Sequence, residues 1–409
     1  MNILFIHQNF PAQFKGLAPV LAENPDNRVV AISHREKLNF KGIKHYSYYI
    51  KNPANFKPHP YLKEEQAKIL RAEGVLNTAK KLIEKGFYPD VIYVHPGWGE
   101  GLFLKEIWPN AFIIGYYEYY YRLEGQDLGF NPEFPISDKQ KFLLRLKNNP
   151  NLQALEAFDA GISPTKWQYS TYPKWAHNKI SIIHEGIDTN ICIPNREKSV
   201  TLGKSKLRLS HDDLVITYVS RYLEPLRGFY QFMRVLPDLL DKYPKLHILI
   251  VGNSERGYGA QLPKGETHKK LMLEELGDKL DPSRIHFLGR IPYSAYIQVL
   301  QISTVHYYAT YPFVASWSLL EAMSCGCAVA ASDVDPVKEF IQDNHNGLLF
   351  DFFDQKKMIK QISKLLDNKK LRNRLGKQAR NTIQKNYNLE QSIQQHLNLL
   401  ETVTKKKKR

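Results

Sequence analysis

Short apolar runs, each followed by a stretch of helical periodicity, recur along almost the whole chain, and this alternation restricts the fold more than any other feature. Asn2–Ile6, Arg28–Ser33, Val91–His95, Ala111–Tyr116, Ala160–Ser163 and Ile180–His184 read as strands. Helices are predicted over Pro11–Ala22 and Pro60–Lys85, with another starting near Glu100. Strands this apolar, with no polar alternation, must be covered on both faces, which points to parallel sheets flanked by helices. The texture changes around Thr189–Lys206, where Asn190–Lys198 is polar and punctuated by proline. A second series follows, with strands at Leu214–Ser220, Leu246–Gly252, Ile285–Leu288, Val305–Tyr308 and Ala328–Ser332. Its helices fall at Gly228–Tyr243, Tyr293–Gln301 and Leu319–Cys325, and the tail adds helices near Asp354–Leu366, Lys370–Lys385 and Leu389–Thr402.

A chain of 409 residues exceeds what one hydrophobic core ordinarily supports. The expectation is therefore an α/β protein of two Rossmann-like, doubly wound domains facing each other across a cleft. The first spans 1–190, a linker 191–207, the second 208–385, and a C-terminal helix with a basic tail 386–409. In such sheets ligands bind beyond the carboxyl ends of the strands. The three cysteines build no disulfide framework and no zinc-like spacing exists, so a reducing cytoplasm and no metal are expected. Asn2–Ile6 lacks a basic segment before it and reads as a buried strand rather than a secretion signal. The net charge of +16 has its densest patch at Lys405–Arg409, read as a solvated tail or as peripheral contact with an anionic inner membrane face. No nucleic-acid motif accompanies the charge.

Two constellations carry chemistry. In Tyr218–Gly228, Arg221 and Arg227 flank a turn between a strand and a helix, where two guanidinium forks can converge on one phosphate-bearing ligand. The bland alternative is two solvated arginines. In Ser316–Asp333, Glu321 lies in the first turns of a helix after a loop, where a carboxylate can accept from both hydroxyls of a ribose or simply be paired at the surface.

The stretch LLEAMSCGCAVAASD around Glu321 resembles the C-terminal signature of family-4 glycosyltransferases. These have the GT-B fold and transfer a sugar from a nucleoside diphosphate sugar with retention of configuration. The resemblance covers most of the chain, including a bacterial family-4-like N-terminal segment, HQNFPAQFKGLAPVLA. It implies that Arg221 and Arg227 hold the donor diphosphate, with Ser220 and Arg227 standing where the family has glycine and lysine. It implies that Glu321 holds the ribose. Eight positions earlier the family's other glutamate is replaced by Phe313, and backbone N–H groups of Val314, Ala315, Ser316 and Trp317 are expected to act in its place. Gly252 and the backbone at Ile291 are expected at the nucleobase, with Gly289 and Tyr293 nearby.

The first half lacks the glycine pattern of a nicotinamide or flavin site, and no cofactor is expected. Its turns carry the acceptor candidates: Asn9, Phe10 and Gly16 after the first strand, Gly97 and Trp98 after Val91–His95, and Glu118 within a tyrosine run. Trp98 and the tyrosines read equally as core packing. His95, at a strand's carboxyl end, is placed to relay the acceptor proton or orient the donor sugar. His184 and Glu185, in a segment resembling the family's NGID-type stretch, read as mostly structural. The predicted partners are a nucleoside diphosphate sugar and a carbohydrate, lipid-linked or glycoconjugate acceptor, in bacterial polysaccharide, glycolipid or glycoconjugate synthesis. The competing readings are another GT-B enzyme, an epimerase or phosphorylase, and a nucleic-acid-binding protein on an inactive scaffold.

Overall fold

A computed structural model describes residues 1–36, 38–51, 57–203, 206–255, 257 and 262–407. The chain divides into two compact units, one of residues 1–186 with 389–409 and the other of residues 187–388.

The first unit holds seven parallel strands: β1 (Asn2–Ile6), β2 (Arg28–Ser33), β3 (Ile43–Ser47), β4 (Val91–Val94), β5 (Phe112–Tyr116), β6 (Ala160–Ser163) and β7 (Ile180–Ile182). They lie in the order β3-β2-β1-β4-β5-β6-β7. The chain winds outward from β1 to β3, then crosses to β4 on the other side of β1. The gap beyond the carboxyl ends of β1 and β4 is therefore the switch point at which doubly wound sheets take ligands. His7 follows β1 and His95 follows β4, so two imidazoles arrive there from neighbouring strands.

One face of this sheet packs Leu4, Ile6, Ile92, Val94 and Ile113 against the long helix Lys63–Glu84 through Val75, Ala79 and Leu82. The other packs Phe5, Tyr93 and Ile114 against Phe14, Leu17 and Leu21, and against Leu400 and Val403 of the last helix, Leu389–Lys407. Each fully buried side chain of this size contributes about 1.5–3 kcal/mol, so the C-terminal helix is an integral layer of the first unit. Of the basic run 405–409, Lys408 and Arg409 lie outside the described residues, as do the side chains of Lys405–Lys407.

The predicted single helix Pro11–Ala22 is instead a 3-10 turn, Ala12–Phe14, followed by a helix at Leu17–Glu23. Pro19 has no N–H to give a carbonyl four residues back, so the helix must begin late enough to hold Pro19 in its first turn. The helix expected near Glu100 is delayed to Leu104–Ile107, because Gly99 takes the left-handed conformation (φ 91°). Gly161, in β6, lies directly beneath the Tyr117 ring, and a Cβ there would overlap it. Gly161→Ala is expected to destabilise the first unit by about 1–3 kcal/mol, read as a fall in its thermal unfolding midpoint. An unchanged midpoint would show that the ring moves aside freely.

The second unit opens with an antiparallel pair, β8 (Ser199–Thr201) and β9 (Arg208–Ser210), within and just beyond the stretch read as linker. Leu202 and Leu209 bury against Val215, Leu249 and Val299. The main sheet comprises β10 (Leu214–Tyr222), β11 (Leu246–Asn253), β12 (Ile285–Gly289), β13 (Val305–Tyr308), β14 (Val329–Ser332) and β15 (Leu348–Phe350). All are parallel, in the order β12-β11-β10-β13-β14-β15, which places a second switch point at the ends of β10 and β13. Aromatic rings from successive elements fill its core, with Phe232 stacked 5.2 Å from Tyr218 and 4.6 Å from Tyr307. Among the described residues no helix is long and apolar enough to cross a membrane.

Candidate functional site

At the second unit's switch point, β10 ends in Arg221 and Tyr222 and the chain turns through Pro225–Arg227 into the helix Phe229–Lys242. Gly228 makes this turn in the left-handed conformation (φ 66°) and sits against Ala309, just past β13. That close approach brings Arg227 to the loop after β13. Its Nη1 donates to Thr310 Oγ1 (3.1 Å) and to the Val314 carbonyl (2.8 Å), and the Phe313 ring centroid lies 5.4 Å from its Cζ. A guanidinium has five N–H donors in a rigid fork, so fixing one nitrogen orients the remainder. Phe313, standing where the family has glutamate, thus gives Arg227 a cation–π contact. Arg221 is exposed, its guanidinium 5.5 Å from the Tyr222 ring. Arg227 is the more buried cation of the two.

Ser316 caps the helix Trp317–Ser324, its Oγ accepting from Ser318 N–H. The expectation of four open loop amides needs correction at Ser316, whose N–H donates to Tyr308 Oη at 2.7 Å. Glu321 is buried on that helix. Its Oε1 accepts from Tyr293 Oη (2.8 Å) and its Oε2 from Tyr296 Oη (2.7 Å), so two tyrosines from Tyr293–Gln301 hold it. Burial, then the Glu321 charge, drive the Tyr296 phenol well above its ordinary value, which leaves it a donor. Gly252 lies so close to the β10 turn that a Cβ would come within 2.7 Å of Leu223 Cδ2. Ile291 is partly buried, its side chain packed against the Leu249 cluster.

At the first unit's switch point, His95 Nε2 lies 3.3 Å from Glu118 Oε2, and Gln13 Nε2 donates to Glu118 Oε1 at 2.9 Å. His7 meets His95 edge to face, ring centroids 5.4 Å apart, and its Nδ1 accepts from Asn9 N–H. Burial, then the charges of His95 and Arg35, lower the His7 pKa and hold the ring neutral. Tyr116 Oη donates to Glu185, and His184 Nε2 lies 3.5 Å from the same carboxylate. Trp98 stands 5.8 Å from His95, and a Cβ on Gly97 would press within 3.1 Å of the same imidazole. The geometry therefore gathers His95, Gly97, Trp98, Glu118 and the Asn9 backbone about one imidazole pair.

Two acceptor candidates do not belong to this group. Phe10 is completely buried in the core, tilted against Phe5 and edge-on to Phe40; its apolar surface goes to packing. Gly16 lies under the Leu389 side chain and seats the C-terminal helix. Sequence reasoning left out Gln13, Thr310 and Tyr296, and treated His7 only as part of a turn. His7 has a readable signal, a polar residue directly after the first buried strand. The other three have none, because their partners are remote in sequence.

Residues 25–192 match the glycosyl transferase family 4 group and residues 201–382 the glycosyl transferases group 1. A glycosyltransferase of Methanocaldococcus jannaschii, itself uncharacterized, is 27% identical over 225 residues, 54% of this chain and 52% of that protein. The match thus spans about half the length of that relative. Sucrose-phosphate synthase from Thermosynechococcus elongatus superposes with a TM-score of 0.75 at 18% identity, covering 99% of each chain. Anabaena HepE, solved with UDP-glucose, gives 0.70 at 17% identity over 98% of this chain and all of that one. With two doubly wound units and both family segments in order, the chain belongs to the family-4 glycosyltransferases of GT-B fold.

Proposed function

We propose that this protein transfers a sugar from a nucleoside diphosphate sugar to an acceptor hydroxyl with retention of configuration, in bacterial polysaccharide, glycolipid or glycoconjugate synthesis. The observation that carries the reading is the bracing of Arg227 by Thr310 and Val314 at the second unit's switch point, with Glu321 on the helix that follows the same loop. A fixed guanidinium there meets the diphosphate, and its charge is already in place when the leaving group becomes more anionic. Arg221 adds a second, more exposed cation. Glu321 takes the ribose, and the Val314 and Ala315 amides take sugar hydroxyls, since the Phe313 side chain has no hydrogen-bonding group. Charge neutralisation by arginine needs no metal ion in this scheme.

The bond from the anomeric carbon to the phosphate oxygen breaks and one to the acceptor oxygen forms on the same face. The acceptor's proton passes to the departing phosphate. On the first unit, His95 orients hydroxyls, held in place by Glu118. The setting is the cytoplasm, and the basic C-terminal run allows peripheral attachment to an anionic membrane face, which liposome co-sedimentation with and without residues 405–409 tests.

A thermal-shift screen against nucleoside diphosphates and their sugars tests the donor reading, beginning with uridine compounds because HepE was solved with UDP-glucose. A ligand at a hundred times its Kd stabilises the native state by about 2.7 kcal/mol, and a corresponding rise in midpoint is expected for one base. No shift with any base would remove the reading. NMR of the product's anomeric proton decides retention.

A further inference from the structure

The Glu321 carboxylate has no lysine or arginine partner among the described residues; two neutral phenols hold it instead. A buried carboxylate satisfied only by neutral donors is costly compared with an apolar side chain of the same size. It makes physical sense when the charge serves a ligand.

The manner of holding says which ligand groups suit it. Tyr293 and Tyr296 are three apart on one helix, so their rings stand side by side, with centroids 5.8 Å apart. One phenol reaches each carboxylate oxygen, which fixes the carboxylate plane against rotation. Each oxygen has two lone pairs and uses one on a tyrosine, so one acceptor position remains on each. Two adjacent hydroxyls match two such positions. Tyr296 is buried, whereas Tyr293 is 47% exposed. The Tyr293 oxygen is backed by Cys192 Sγ at 3.4 Å, and the Cys192 carbonyl is itself held by Ser324 Oγ (2.7 Å) and Arg380 Nη1 (2.8 Å). The phenol's only proton goes to Glu321, so the thiol is the donor behind it.

We infer that Tyr296 and Tyr293 are positioning residues that aim the Glu321 carboxylate at both hydroxyls of a ribose, so that the protein selects ribonucleoside over 2′-deoxyribonucleoside diphosphates. The inference rests on the donor reading above and adds to it a discrimination set by two side chains that do not touch the reacting atoms. Without the phenols the carboxylate rotates, and the second hydroxyl no longer finds a fixed acceptor.

Titration calorimetry with the four ribonucleoside diphosphates and their 2′-deoxy counterparts tests it on the full chain. For the preferred base the ribo form is expected to bind about tenfold tighter than the deoxy form, the effect of one hydrogen bond to a charged group. In Tyr296→Phe the ratio falls to about threefold or less, through weaker ribo binding alone, with deoxy binding unchanged. Tyr293→Phe reproduces the fall at an exposed position and carries the test if the buried variant misfolds. A ratio unmoved in both variants, or an equal loss for ribo and deoxy ligands, would make the tyrosines merely structural and overturn the inference. Equal binding of the two ligands by the unaltered protein would overturn it too, while leaving the donor reading intact. Failure to bind any nucleoside diphosphate would instead remove the donor reading itself.

Discussion

Arg227→Ala is expected to lower kcat/KM for sugar transfer by about 10² to 10³, the usual effect of deleting one preorganised group that stabilises transition-state charge. Two losses combine. The cation disappears, and with it the brace to Thr310 Oγ1 and the Val314 carbonyl that fixes the loop after β13. Most of the fall should appear in kcat, because charge on the departing diphosphate grows as the anomeric bond breaks. Arg227→Lys separates the losses. Lysine keeps the charge but has no planar fork with which to hold Thr310 and Val314 while facing a phosphate, so an intermediate loss of roughly tenfold is expected. Arg221→Ala should cost less than either, since Arg221 is exposed and its charge is screened by solvent. Steady-state rates with the donor identified by thermal shift check all three. If Arg221→Ala proved the most damaging, or Arg227→Ala changed only KM, the assignment of Arg227 to the leaving group would be wrong.

The difference between the arginines was hidden in the sequence, and the reason is distance along the chain. Spacing across a strand–turn–helix junction was enough to single out Arg221 and Arg227. Only the fold places Thr310 against Arg227, from a loop after another strand. The same holds for Glu321, whose position on a helix is readable but whose partners Tyr293 and Tyr296 come from a different element. Most of the apolar strands were legible because burial on both faces writes itself as a continuous run, although the three-residue β15, Leu-Leu-Phe, was too short to stand out. β3 was not legible either, since Ile-Lys-His-Tyr-Ser at a sheet edge carries no such run. Phe10 and Gly16 show the opposite error. They sit in a turn at the correct sheet end, yet one fills the core and the other makes room for Leu389, and a turn's position does not reveal which residues point inward. Phe313 could be seen as a departure from the family pattern, but its role as a ring beside Arg227 needed coordinates.

Glu100→Gln is expected to stabilise the first unit at neutral and alkaline pH and to leave it nearly unchanged below about pH 4.5, the window set by the Glu100 carboxyl. Glu100 is completely buried, its Oε1 accepting from Tyr48 Oη at 2.7 Å, and its Oε2 has no hydrogen-bond partner. Burial raises its pKa from 4.5 to about 7, partly offset by the Tyr48 hydrogen bond, the Gln8 backbone, and the charges of His95 and Arg71. The native state therefore retains a proton that the unfolded chain releases near 4.5. Between those values the native state binds more protons, so stability falls as pH rises, by about 3 kcal/mol in total at the limit of the linkage relation. Glutamine keeps a carbonyl for Tyr48 and cannot ionise, so the variant should not show this decline. His7 contributes the opposite slope: its lowered pKa costs stability as pH drops below about 6.5, because the unfolded chain then takes up a proton that the buried ring refuses. Four of the five tryptophans, Trp98, Trp108, Trp167 and Trp175, belong to the first unit, so fluorescence-detected urea unfolding reports mainly on it. The gap between variant and parent should open between pH 4.5 and 7 and then level off. A gap that is constant across pH, or one that narrows as pH rises, would mean that Glu100 is not the buried acid described here.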